Sequence, residues 1–399
     1  MNRRADRARP TPRWVTTAVV AAVLLGSTAA AASGAGGAAA AAPSPPTTVP
    51  AVGSRTSPGA VVRADPIAAP SGARAWRIEY HSRDLAGADR RVTGIVVAPA
   101  GRAPARGRPI VAWAHGTTGL ADACAPSRAP DPSAAIPYLD ELLAAGYVVA
   151  ATDYAGLGSA GVHPYLVGES EGRSVLDAAR AARALPVGAG RRVVVLGHSQ
   201  GGHAALFAGE IARQYAPELA VRGVAAGAPV ADVGAFLDFV VDSPGRGGFW
   251  PMAVAGARAA YPELATLPLL TPGADARSAV VESGCASEIL ATFAADDGAS
   301  LRGPGSDAAS WRQRLAESTA GRRAAGAPVL VWQGDADDLT PEPLAAAYVS
   351  RACAQGSTVD YRVYPGANHA SVLGAARADV LAFLATRFAG RPAADGCRR

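Results

Sequence analysis

Lysine is absent from this chain: all 38 of its Lys-plus-Arg positions are arginine. That reflects the coding bias of a GC-rich genome rather than a physical requirement. Also missing is an excess of either charge. The formal net charge is +5, but residues 1–42 hold five arginines and one aspartate, which leaves 33 Arg against 32 acids in the remainder. A near-neutral body has no electrostatic footprint for nucleic acid, so none is expected as a partner. Metal chemistry lacks a ligand set as well. The six histidines are scattered, and Cys124, Cys285, Cys353 and Cys397 show none of the close spacings that hold an ion, so neither metal nor cofactor is expected. No internal repeat is visible, and no apolar run is long enough to cross a bilayer.

The longest apolar run, WVTTAVVAAVLL, follows the basic stretch MNRRADRARPTPR and precedes an alanine-rich tract with several A-x-A-like points. Together these read as a secretory signal peptide over residues 1–42, and a cleaved, secreted protein is expected. An N-terminal anchor is the other reading, but no cysteine follows the run to carry a lipid. Residues 43–63 are Ala, Gly, Pro, Ser and Thr with almost nothing to bury, a flexible leader. Outside the cell the four cysteines should form two disulfides, with three pairings open.

The about 330 residues from Ala64 onward exceed the usual single-domain length, which predicts one large domain or a core with an insertion. RAWRIEYHSRD and RRVTGIVVAPA alternate in polarity and predict an early hairpin. PIVAWAHG, GYVVAATDY, VVVLGHS, VRGVAAGAP, PVLVWQGD and DYRVYPG are short continuous apolar runs, expected as parallel strands buried on both faces. Helical spacing marks the segments between them, and ASVLGAARADVLAFLATRF closes the chain. This is an α/β pattern, a mostly parallel sheet flanked by helices. It is interrupted over 231–320, where a helical insertion is expected between a first core part, 64–230, and a second, 321–399.

Ser199 stands in GHSQG, on the turn between VVVLGHS and the helical HAALFAGEIARQY. G-x-S-x-G at a strand-to-helix turn is the nucleophile elbow of the α/β-hydrolase fold, in which small residues let strand and helix approach. A serine hydroxyl needs a base to take its proton and a carboxylate to orient that base. His369, in YPGANHASV, is the one histidine well beyond the elbow, since His203 sits on the elbow helix and His198 in the turn. The acid should end the preceding strand, where Asp335, Asp337 and Asp338 all stand; the G-x-x-D spacing from Gly334 selects Asp337 and leaves the other two open. Two backbone donors should hold the developing oxyanion. Gln200 follows the serine, and Thr117 follows His115 and Gly116 at the end of PIVAWAHG.

WAHGTTGLADACAPS, TDYAGLGSAGVHPYLVGESEGRSVLDAARAAR, GHSQGGHAALFAGE and QGDADDLTP with GANH occur in the order found in the secretory lipase family, and over about Arg74–Phe388 the chain resembles that family. The resemblance implies an α/β-hydrolase fold with a helical cap at 231–320, a Ser199–Asp337–His369 triad, and hydrolysis of carboxylic esters, acylglycerols among them. It also implies the pairs Cys124–Cys285 and Cys353–Cys397. HGTTG departs from the lipase A branch, which carries an aspartate in that loop, so the second oxyanion donor stays open.

A peptidase or amidase of the same fold, and a silent hydrolase-fold binding protein, are the alternatives. Within the insertion, Phe236, Phe239, Phe249, Trp250, Met252 and Leu270 are expected either to bind an acyl chain or to glue the insertion to itself. The expected partner is a small-molecule or lipid ester, met by a monomer that touches a lipid interface transiently.

Overall fold

The computed structural model describes residues 56–398. The expected signal peptide, and the leader up to residue 55, lie outside the described residues. Nine strands form one sheet: β1 Val61–Ile67, β2 Ala73–Arg83, β3 Asp89–Pro99, β4 Arg108–Ala114, β5 Val148–Ala155, β6 Ala189–His198, β7 Ala220–Gly227, β8 Val329–Gly334 and β9 Val359–Tyr364. Their spatial order is β1-β2-β3-β5-β4-β6-β7-β8-β9. The pairs from β1 through β3 and on to β5 are antiparallel, and every pair beyond them is parallel. This is the α/β-hydrolase arrangement.

The continuous apolar runs become the centre of the sheet. Every residue of β5 and β8 is buried, as strands covered on both faces require. Two expectations need correction at the edges. β1 begins at Val61, inside the stretch read as leader; with a partner on one side only, it tolerates Pro66 and leaves Val62 and Arg63 exposed. β9 is not buried on both faces. It is the other edge, and Val363 is 41% exposed.

Helices cover both faces. On one, α2 (Gly168–Ala184), α3 (Gln200–Tyr215) and α11 (Glu342–Ala354) bury their apolar stripes on the sheet, while α1 (Leu139–Ala144), α12 (Ser371–Ala375) and α13 (Arg377–Phe388) pack on the other. Between β7 and β8 the chain forms α4 (Val233–Val241), α5 (Phe249–Ala260), α6 (Pro272–Ala276), α7 (Ala279–Ser283), α8 (Ala286–Thr292), α9 (Gly298–Leu301) and α10 (Ala309–Glu317). This segment has a hydrophobic cluster of its own, joined by Leu120, Tyr165 and Leu166 from the core.

Disulfides join Cys124 to Cys285 and Cys353 to Cys397, the pairs implied by the resemblance. The first ties the loop after β4 to the start of α8, beside the Ala286 N–H bond to the Thr118 carbonyl (2.9 Å). The second ties the C-terminal tail to α11. The bridges close loops of 161 and 44 residues, for which chain entropy gives about 5 and about 4 kcal/mol respectively. Paired Cys→Ser variants should therefore show lower denaturant midpoints, with the larger drop for Cys124/Cys285. Variants as stable as the oxidised wild type would refute this.

Candidate active site

Ser199 stands between β6 and α3, as the cap of the helix, with φ +61° and ψ −121°, a conformation an L-residue holds only when its surroundings impose it. Its N–H donates to the Gly227 carbonyl (2.9 Å), and its carbonyl accepts from the His203 N–H (3.1 Å), the first turn of the helix. Two glycines make this turn possible. A Cβ on Gly197 would run into the Gly201 carbonyl; one on Gly201 would run into the Ala114 carbonyl and lie 2.7 Å from the His115 carbonyl oxygen. The end of β4 is thus pressed against the start of α3, which brings the HGTTG loop beside the serine.

Gln200 is the first residue of α3, so its N–H is one of the free donors at a helix N-terminus. Gly116 lies across from it: a Cβ there would stand 3.6 Å from Ser199 Cβ. The next residue, Thr117, is held by its hydroxyl to the Tyr165 hydroxyl at 2.8 Å. Burial raises the Tyr165 pKa well past its usual value, so this contact is with a phenol and not a phenolate. Burial also lowers the His115 pKa, and the ring nitrogen Nδ1 donates to the Gly116 carbonyl (2.6 Å).

Of the three aspartates left open by the sequence, Asp337 is the one that meets His369. It is 5% exposed and accepts from His369 Nδ1 (2.8 Å) and Gln333 Nε2 (3.0 Å) at Oδ2, and from the amides of Leu339 and Thr340 (both 2.9 Å) at Oδ1. Thr340 Oγ1 stands 2.9 Å from Oδ2 and 3.1 Å from His369 Nδ1. Burial works against the carboxylate, but its bonds and charge interaction with His369, together with the two amides, outweigh it and keep the pKa below the ordinary 3.8. The carboxylate accepts, so His369 carries its proton on Nδ1 and leaves Nε2 basic. Asp335 and Asp338 are exposed instead. Asp335 accepts from the Gly366 N–H (2.6 Å), and Asp338 pairs with Arg246 from the segment between α4 and α5 (2.7 Å).

His198 holds the histidine loop from below. Its Nε2 donates to the His369 carbonyl (2.9 Å), and the rings lie 4.7 Å apart. Burial, then the His369 ring, push its pKa down to about 4, so it is neutral. Among the described residues, no hydrogen bond joins Ser199 Oγ to His369. Such bonds commonly close only with substrate in place.

The six apolar residues singled out in the insertion do not share one environment. Phe236, Phe249, Trp250, Met252 and Leu270 are buried in the insertion's own cluster, whereas Phe239 is 37% exposed at the surface. Phe236 packs edge-on against Phe249 at 5.4 Å. An apolar crevice beside Tyr165, the partner of Thr117, is lined by Val233, Ala253, Ala257, Trp311 and Leu315, and it measures about 10 Å³. Thr340, Gln333, Glu171 and His163 escape sequence reasoning. Thr340 was findable from its three-residue distance to Asp337; a buried carboxylate such as Glu171 reads in sequence as a solvated helix face.

Lipase A of Moesziomyces aphidis is 28% identical over 241 residues, 56% of this chain and 50% of that protein, so the chain spans about half the length of the first such relative. A probable inactive lipase of Mycobacterium tuberculosis (strain CDC 1551 / Oshkosh) is 25% identical over 350 residues, 82% of this chain and 76% of that one. The crystal structure of Candida antarctica lipase A in its closed state superposes with a TM-score of 0.74 at 22% identity, covering 85% of this chain and 84% of that one, a likeness of fold. Residues 134–396, more than half of the sequence, match the secretory lipase model, and the chain belongs to the secretory lipase family.

Proposed function

We propose that this protein is a secreted serine hydrolase that cleaves carboxylic esters, acylglycerols among them, through an acyl-enzyme on Ser199. The observation that carries the reading is the contact of buried Asp337 with His369, in a loop that His198, the neighbour of Ser199, ties to the elbow. Ser199 Oγ attacks the ester carbonyl while His369 Nε2 takes its proton. The amides of Gln200 and Thr117 stabilise the oxyanion, and the leaving alcohol takes the proton back from His369. Water, deprotonated by the same nitrogen, then releases the acid and restores the serine. Asp337 keeps the imidazole in the reactive tautomer and balances its charge. The reaction calls on no cofactor. Two disulfides and the family support export, with residues 1–42 removed on the way, and we take the monomer as the working unit, touching a lipid interface only transiently.

In this reading residues 231–320 act as a cap, and the acyl chain lies along the crevice beside Tyr165 rather than among the buried Phe236, Phe249, Trp250, Met252 and Leu270. At about 10 Å³ the crevice is the size of one water, so the cap must shift to admit a chain. Each buried CH₂ then adds about 0.8 kcal/mol, or roughly fourfold in kcat/KM, until the crevice is full. A series of nitrophenyl esters, with Ser199→Ala as control, should show kcat/KM rising from acetate to medium chains. A steady fall from two carbons upward would overturn the preference for longer acyl chains over acetate. The relative described as an inactive lipase makes a silent binding protein the reading to test against. Labelling by a fluorophosphonate at Ser199 separates the two.

A further inference from the structure

Behind Ser199 lies a buried polar cluster with no part in the chemistry above. Its centre is Glu171, on the first turn of α2 and 1% exposed. Oε1 accepts from Gln200 Nε2 (2.8 Å) and from the Leu166 N–H (3.1 Å), and Oε2 faces His203 Nδ1 (2.8 Å). Gln200 Nε2 also meets His163 Nε2 (2.9 Å); His163 Nδ1 faces the Ala155 carbonyl (3.0 Å), and His203 Nε2 faces the Ser318 carbonyl (2.8 Å). Close packing of α2 on α3 makes this reach short: a Cβ on Gly168 would enter the Phe207 ring, and one on Gly172 would stand 2.9 Å from the Ala208 nitrogen.

The hydrogens in this cluster can be assigned one by one. Carbonyls only accept, so His163 is protonated on Nδ1 and its Nε2 accepts from Gln200. Burial, the largest influence, lowers the His163 pKa to about 4, which keeps that ring neutral. His203 donates through Nε2, and one proton lies between its Nδ1 and Glu171 Oε2. Both hydrogens of the Gln200 amide are therefore in use, and the side chain has one orientation.

We infer that Glu171 is a positioning residue for both oxyanion donors. Through the Gln200 side chain it holds the residue whose N–H follows Ser199. Through the Leu166 N–H it holds a residue in the left-handed conformation (φ +58°) next to Tyr165, whose hydroxyl grips Thr117. One carboxylate thus reaches the Gln200 donor from one side and the Thr117 donor from the other. This rests on the ester-hydrolase reading, because it assigns these two amides to the oxyanion.

The test uses full-length protein with active sites counted by a fluorophosphonate, so that unfolded molecules do not enter the rate. Glu171→Leu should lower kcat per titrated site by about 10- to 100-fold, less than deletion of an oxyanion donor outright, with KM changed by less than about threefold. Glu171→Gln should recover most of the rate, because an amide can accept from Gln200 and Leu166 while donating to His203 Nδ1. Gln200→Ala, which leaves the Glu171–His203 pair and the Leu166 contact intact, should lower kcat by less than Glu171→Leu does, and the double variant should fall no further than Glu171→Leu alone. Should Glu171→Leu fail to fold, Gln200→Ala with Glu171→Gln carries the test. Unchanged kcat per site in Glu171→Leu or Gln200→Ala, or additive losses in the double variant, would overturn the inference. A wild type that is not labelled, or a fully active Ser199→Ala, would instead overturn the hydrolase reading.

Discussion

Ser199→Ala or His369→Ala should lower kcat on an ester by about 10³- to 10⁶-fold, because the members of the proposed triad act as a unit and only the oxyanion donors and binding remain. Folding should be intact, since both side chains face the site and neither fills the core. Asp337→Asn should be damaging for a more specific reason. Oδ1 accepts two backbone amides and must stay an oxygen, which puts the new NH₂ opposite His369 Nδ1. The imidazole would then carry its proton on Nε2 and could not take one from the serine, at a cost of about 10⁴-fold in kcat. Asp335→Asn and Asp338→Asn should stay within about twofold, as exposed substitutions away from the chemistry do. The measurement is kcat on one soluble ester for all five variants. A dead Asp335 variant beside a live Asp337 variant would reverse the assignment of the acid.

Gly201→Ala should be among the most damaging single-methyl changes in the described residues. The added carbon meets backbone, not a side chain that could swing away: the Ala114 carbonyl, with the His115 carbonyl oxygen at 2.7 Å. Relief requires the end of β4 to move, and the HGTTG loop moves with it. Overpacking of this kind costs about 1–3 kcal/mol, and a displacement near 1 Å at the oxyanion can cost about 10²-fold in rate. Gly374→Ala is the matched control. Nothing lies within 4 Å of a Cβ there, and α12 should gain up to about 1 kcal/mol. Denaturation midpoints and kcat on the two variants decide the matter; equal behaviour would show that the crowding at 201 is relaxed at no cost.

The sheet was legible because its central strands are continuous apolar runs, a pattern that buried parallel strands need and that loops rarely show. β1 was not legible: VVRADPI pairs on one side only, and its polar residues face water as a leader's would. Ser199 was readable from the glycines around it, since their spacing records a steric demand. The choice among Asp335, Asp337 and Asp338 rested on a spacing rule; their burial and partners separate them physically. The insertion's aromatics were ambiguous in principle, because lining a groove and filling a core ask for the same side chains. Glu171 was hidden for the opposite reason, as its meaning depends on Gln200, His163 and His203 arriving from other elements.

The disulfides divide the chain into covalent rings, and the proposed catalytic groups fall in different ones. The ring closed by Cys124–Cys285 contains Ser199; the ring closed by Cys353–Cys397 contains His369; Asp337 lies in neither. A backbone cut inside the first ring, for example after Arg246 at the surface, leaves both pieces bound by sulfur. A cut between 286 and 336, for example after the exposed Arg312, leaves no covalent path between serine and base. From there on, the two halves of the proposed active site are held together by noncovalent contacts alone, the sheet and bonds such as that of His203 to the Ser318 carbonyl, and a protease that reaches that stretch turns one molecule into a noncovalent complex of two chains.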